Sequence, residues 1–130
     1  MSKYDNKKEK LKQYLFVYGS LLSHNSRNYL LKDSKFIGKA ILENYGLYKI
    51  SWYPGIVSKE GSKVVGEVYE VDDVTLEKID NFEGEGELYK RERVIVNLEK
   101  GEKIEAWTYV YLNEVKEENF IPFENQPWRD

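Results

Sequence analysis

The run Tyr14-Leu15-Phe16-Val17-Tyr18 is apolar and aromatic throughout and stops at Gly19-Ser20. Such a run reads as a buried strand ending in a tight turn, and a buried strand obliges the rest of the chain to cover it. At 130 residues, 41% hydrophobic and 15% aromatic, the chain is long enough to do so as one packed domain.

The remaining pattern supplies mostly further strands. Phe36 to Ile50 carries Ile37, Ala40, Ile41, Leu42, Leu47 and Ile50, interrupted by Gly38 and Gly46, which suits a long strand with bulges or bends. Tyr53-Pro54-Gly55 marks a turn, and Lys63 to Val71 reads as a strand with Gly66 in its middle. Tyr89 to Leu98 and Ile104 to Tyr111, joined by Lys100-Gly101, read as a hairpin. Two helices interrupt them. One spans Asn25 to Leu31. The other starts at Asp72 or Asp73, places Leu76, Ile79 and Glu83 on one face, and ends at Gly84 or Gly86. This order predicts an α+β domain over residues 14–130 whose sheet curls into a small barrel with flanking helices. Residues 1–13 are lysine-rich, without an apolar run, and read as a flexible polar tail, neither a secretory signal nor a membrane span. Phe120, Ile121, Phe123 and Trp128 predict that the C-terminal stretch packs on the domain.

Several chemistries are excluded by residue type. No cysteine is present, so disulfides, thiolate nucleophiles and cysteine zinc sites fall away. With His24 the single histidine, no two-histidine metal site exists. Twenty Lys and Arg against 23 Asp and Glu leave a net charge of -3 and imply no nucleic-acid-binding face. The expected location is cytoplasmic, with no membrane partner.

Chemistry must then rest on carboxylates, hydroxyls or backbone groups. Tyr18-Gly19-Ser20-Leu21 places a glycine where backbone amides can form an anion-binding nest, although on spacing alone a plain Gly-Ser turn is the commoner outcome. Glu83 lies on the apolar stripe of its helix beside Phe82, near Asp80, Glu85 and Glu87 and at a helix C-terminus. Each of these disfavours ionisation and suits a proton shuttle, while a solvated residue in an acidic loop is the alternative. Asp80 is the rival carboxylate on that face. Glu67 ranks third, since a strand glutamate usually faces solvent. Tyr89 and Arg91, two apart on a strand, share a face where they either orient a substrate or serve packing and a surface ion pair. His24 is assigned no role.

Taken together, LFVYGSL at residues 15–21 and IDNFEGEGELYKR at residues 79–91 resemble the two hallmark motifs of the gamma-glutamylcyclotransferase-like superfamily, in its gamma-glutamylamine cyclotransferase and AIG2-like branch. Gly46-Leu47-Tyr48, Tyr53-Pro54-Gly55 and Val65-Gly66-Glu67-Val68-Tyr69 extend the resemblance over Tyr14 to Leu112. It implies a mixed barrel with flanking helices, a substrate loop at Tyr18, Gly19, Ser20 and Leu21, an essential Glu83, and Tyr89 near the site. Ser23-His24-Asn25-Ser26 departs from the glycine that many relatives carry after the loop.

The implied reaction suits this inventory of residues. A gamma-glutamyl compound brings its own nucleophile, the alpha-amine, which closes a five-membered ring on the gamma-carbonyl and releases 5-oxoproline. A carboxylate that takes the amine proton and returns one to the leaving amine suffices, and no metal or organic cofactor is called for. The expected partner is a small gamma-glutamyl substrate, and the expected state a monomer or weak homodimer. The competing expectation is a non-catalytic binding or stress-associated module on the same fold.

Overall fold

Two long strands frame the computed structural model, which describes residues 12–130. Strand β2 (Lys35–Lys49) and strand β3 (Pro54–Asp72) pair antiparallel from Lys35 with Glu70 to Lys49 with Pro54. The register slips between Phe36 and Gly38 and again between Glu43 and Tyr45, which are the bulges expected in so long a strand. At the second slip Asn44 takes a positive φ of 67° and its side-chain oxygen accepts the Gly61 amide at 3.0 Å.

Strand β1 (Lys12–Val17) pairs antiparallel with the far half of β3, from Lys12 with Asp72 to Val17 with Glu67. Its other edge runs parallel to β5 (Lys103–Tyr111), which forms the expected hairpin with β4 (Tyr89–Leu98). β4 then returns to β2 through Ala40 with Leu98 and Ile41 with Asn97. The order β3-β1-β5-β4-β2, closed by β2 pairing with β3, is a five-stranded mixed barrel. A short β6 (Phe120–Ile121) lies against Leu47 and Tyr48 at the end of β2.

Both faces of β1 are buried, which explains its unbroken apolar run. Phe16 and Tyr18 join Val64, Val68 and Val96 in the cluster enclosed by the strands. Leu15 and Val17 face the other way, onto Leu76 and Ile79 of helix α1 (Asp73–Glu83). Burying each of those aliphatic side chains contributes about 1.5–3 kcal/mol, so they hold the helix against the barrel wall. Gly66 in β3 is required by contact with β1, because a Cβ there would lie 2.3 Å from the Val17 carbonyl oxygen and 2.5 Å from the Phe16 ring.

Three expectations are corrected. The helix expected over Asn25 to Leu31 is a 3-10 turn, Asn28–Leu31, because the segment spends its polar groups elsewhere. The Arg27 amide donates to the Ser20 carbonyl at 2.9 Å, and the Asn28 side chain donates to the Leu21 carbonyl at 2.8 Å and to the Tyr69 hydroxyl at 3.1 Å. The turn placed at Tyr53-Pro54-Gly55 lies one step earlier, where the Ile50 and Ser51 amides donate to the Tyr53 carbonyl, and Pro54 opens β3. The strand expected from Lys63 is the second half of β3. Residues 1–11, most of the expected polar tail, lie outside the described residues, and β1 begins at Lys12.

The C-terminal stretch packs as expected. Gln126 accepts the Val65 amide at 2.7 Å and donates to the Lys63 and Ile121 carbonyls. The Trp128 carbonyl accepts from the Asn25 side chain at 2.9 Å, and the Asp130 carboxylate accepts the Ser26 hydroxyl at 2.7 Å. The stretch thus binds the loop that follows Leu22.

Candidate active site

Helix α1 delivers one carboxyl group to one end of the barrel. Asp72 caps the helix by accepting the Thr75 amide at 2.8 Å, and Gly84, at φ 70°, ends it in the left-handed conformation that a glycine adopts without penalty. Between those stops Leu76 and Ile79 face inward, and the same stripe carries Glu83 to the helix end. Among the described residues the Glu83 carboxyl has no hydrogen-bond or ion-pair partner. Burial raises its pKa from 4.5 to about 7. The neighbouring acids, expected to contribute, are not the cause: Asp80 is paired with Arg91, and Glu85 and Glu87 are exposed.

Glu83 opens onto a cavity of ≈ 150 Å³ that it shares with Tyr18, Gly19, Ser20, Leu21 and Tyr89. The structure therefore brings together the residues singled out in the two sequence motifs, which are more than sixty positions apart. In the turn, the Gly19 carbonyl accepts the Leu22 amide at 3.0 Å and the Asn25 side chain at 3.0 Å, while the Ser20 carbonyl accepts the Arg27 amide. With those carbonyls committed, the amides of Gly19, Ser20 and Leu21 have no acceptor among the described residues. Adjacent free amides at a cavity wall suit an anion or a developing oxyanion. Gly19 is also a close-packing position, since a Cβ there would stand 2.9 Å from Cγ of Pro54.

Two of the cavity's phenols, Tyr18 and Tyr89, are fixed to backbone. Tyr18 donates to the Tyr109 carbonyl at 2.6 Å and Tyr89 to the Pro54 carbonyl at 2.5 Å. Burial pushes both phenols well above their usual pKa, with the Glu83 charge adding to it, so they remain neutral walls that desolvate the carboxyl.

The rival acids are committed elsewhere. Asp80 accepts the Tyr109 hydroxyl at 2.5 Å and pairs with the Arg91 guanidinium at 2.8 Å, and that guanidinium stacks 4.3 Å from the centre of the Trp107 ring. Arg91 accordingly serves an ion pair rather than the cavity, and it does not act with Tyr89. Glu67 is 6% exposed, against the expectation of a solvent-facing side chain, because Ser23 and Tyr69 supply it with donors. His24 is exposed in the loop after Leu22, 3.2 Å from the Trp128 carbonyl, and does not line the cavity. Among the described residues no cluster of three acidic, histidine or cysteine side chains is placed to hold a metal ion, and no helix is long and apolar enough to cross a membrane.

Sequence reasoning missed Tyr109, Trp52 and Leu88 as cavity walls. Tyr109 was reachable, since the β4–β5 register sets it opposite Arg91. Trp52 was not, because it sits in the turn between β2 and β3, where no periodicity operates.

Residues 15–130 match the family model described as Gamma-glutamyl cyclotransferase, AIG2-like. A protein of Methanocaldococcus jannaschii, named as a candidate gamma-glutamylcyclotransferase, is 48% identical over 103 residues, covering 76% of this chain and 84% of its own. The gamma-glutamylcyclotransferase family protein YtfP of Escherichia coli K12 is 34% identical over 116 residues, covering 89% of this chain and 96% of its own. The crystal structure of an AIG2-like protein from mouse superimposes with a TM-score of 0.77 at 25% identity, covering 88% of this chain and 87% of that one.

Proposed function

The chain belongs to the gamma-glutamyl cyclotransferase, AIG2-like family, and we propose that it releases 5-oxoproline from a gamma-glutamyl amine or gamma-glutamyl peptide with Glu83 as general acid and base. The observation that carries this reading is the unpartnered Glu83 carboxyl, raised to about 7, on the same cavity as the free amides of Gly19, Ser20 and Leu21.

The substrate head occupies the cavity with its alpha-carboxylate or its gamma-carbonyl oxygen on the turn amides. Glu83, ionised, takes a proton from the alpha-ammonium. The freed amine nitrogen attacks the gamma-carbonyl carbon and closes the five-membered ring, the oxyanion collapses, and the carbon–nitrogen bond to the leaving amine breaks. Glu83 delivers its proton to the leaving nitrogen as that bond breaks and, ionised again, takes the second proton from the ring nitrogen and passes it to the freed amine, which departs as an ammonium, so one carboxyl serves every transfer. A carboxyl poised near neutrality is suited to both directions, whereas an ordinary surface glutamate is too weak a base. Tyr18 and Tyr89 contribute by packing and by excluding water, and the closed wall holds the substrate chain folded for ring closure.

The test is release of 5-oxoproline, followed by mass spectrometry, from a panel of gamma-glutamyl amides and dipeptides. We expect turnover of at least one member, reduced about 10²–10⁴-fold by Glu83→Gln. Unchanged turnover in that variant removes Glu83 from the mechanism, and silence across the panel favours a binding module on the same fold.

A further inference from the structure

Arg27 is a cation at the cavity mouth that pairs with no acid among the described residues. Its guanidinium carbon lies 5.6 Å from the centre of the Trp52 ring and 5.9 Å from that of Phe82, and both rings line the cavity beside Glu83. The rings are 57% and 39% exposed, which marks them as the rim rather than the floor. Among the described residues Arg27 has no acidic partner, whereas Arg91 is held by Asp80 and Arg93 by Glu105. Its position is nevertheless built. The Arg27 amide donates to the Ser20 carbonyl at 2.9 Å and the Leu30 amide donates to the Arg27 carbonyl at 3.0 Å, so its backbone is tied to the turn that supplies the free amides.

A guanidinium bridging two aromatic faces keeps its edge N–H groups available, and those donors match a carboxylate in pairs. Stacking also limits the side-chain freedom lost when a ligand docks. We propose that Arg27, Trp52 and Phe82 form a leaving-group subsite that selects gamma-glutamyl compounds whose departing amine carries a carboxylate, as an amino acid or peptide does, over neutral or cationic amines. The proposal rests on the gamma-glutamyl reading of the cavity. With the head against the turn amides and its scissile bond at Glu83, the departing amine leaves past Phe82, the chain neighbour of Glu83, and meets Arg27 there. A leaving group ending in an ammonium meets like charge at the same point, while the flanking rings cover its aliphatic part.

The discriminating ligands are gamma-glutamyl-alanine and gamma-glutamyl-alaninamide, which differ only in a terminal carboxylate against a carboxamide. Calorimetric titration of the Glu83→Gln protein, in which turnover is suppressed, is expected to show about tenfold tighter binding of the acid. Arg27→Gln on that background should bring the ratio near one, and Arg27→Lys, which keeps the charge but loses the planar fork, should retain an intermediate preference. Equal affinities with Arg27 intact, or a preference that survives Arg27→Gln, overturns the subsite while leaving the cyclotransferase reading in place. Binding of neither compound counts against the gamma-glutamyl reading itself, and the subsite falls with it.

Discussion

The carboxylate of Glu67 accepts both hydrogens that Ser23 offers, the backbone amide at 2.9 Å on one oxygen and the hydroxyl at 2.8 Å on the other. Glu67 belongs to β3 and Ser23 to the loop leaving the Tyr18–Leu21 turn, so this contact joins the barrel wall to that turn. The Tyr69 hydroxyl donates to the same carboxylate at 3.1 Å and accepts from Asn28, which extends the tie toward Arg27.

Glu67→Gln turns one acceptor oxygen into a donor that faces Ser23. The Ser23 hydroxyl can rotate to accept from it, so what is lost is the charge assistance of these bonds, about 1 kcal/mol in denaturant unfolding. Because Glu67 does not line the cavity, its effect on turnover is expected chiefly as a several-fold rise in KM, with kcat less affected. A kcat loss equal to that of Glu83→Gln would instead make Glu67 a reacting group.

Asp80→Asn separates the two carboxyls of the helix face. It weakens the ion pair with Arg91 and the bond from Tyr109, with an expected stability loss of about 1–3 kcal/mol, while 5-oxoproline release should fall less than about tenfold. A loss as deep as that of Glu83→Gln would reassign the proton transfers to Asp80.

Gly19→Ala tests the closeness of the turn to Pro54. The added Cβ meets Cγ at 2.9 Å and Cδ at 3.0 Å of a stiff ring, whose carbonyl already holds Tyr89. Either the turn or the start of β3 must shift, at a cost of about 1–3 kcal/mol, and the free amides move with it. Thermal unfolding and KM together report the outcome. Wild-type values for both would show that the turn amides tolerate displacement.

The legible part of the fold was whatever periodicity and punctuation encode locally. The β4–β5 hairpin, α1 with its Asp72 cap and Gly84 stop, and the buried β1 all follow from patterns within about a dozen residues. Barrel closure is expected only as a curl, because it needs β2 to pair with β3 on one edge and with β4 on the other, which bulges and strand length set rather than a local signal. Within the candidate site, Glu83 stands out as a carboxyl on an apolar stripe and Gly19 as the end of a buried strand, but each local feature also has a plainer reading, and it is the two motifs together that single them out. Glu67 was misjudged, since its partner Ser23 is forty-four positions away and contributes no signal to the strand itself. Arg27 was invisible for the same reason: its rings come from a turn and a helix end that only the folded chain brings together.

The pH dependence of stability offers a test of Glu83 that needs no substrate. Its folded pKa of about 7 exceeds the ordinary 4.5, so between those values the folded protein holds a proton that the unfolded chain has lost. Stability contributed by the protonated carboxyl is therefore full below 4.5, falls as pH rises toward 7, and stays lowered above it. The shift corresponds to at most about 3 kcal/mol at 1.36 kcal/mol per pKa unit, and because the carboxyl faces an open cavity we expect about 1–2 kcal/mol. Glutamine carries no charge to bury. Glu83→Gln should thus be more stable than the wild type by that amount at pH 8.5 and indistinguishable from it near pH 4 in urea unfolding. The same ionisation should appear in kcat/KM as an acid limb centred near 7, since the proton acceptor must be charged in the free enzyme. A stability difference that does not vary with pH would mean that the carboxyl is solvated in the folded protein, and the general-base assignment would lose its physical basis.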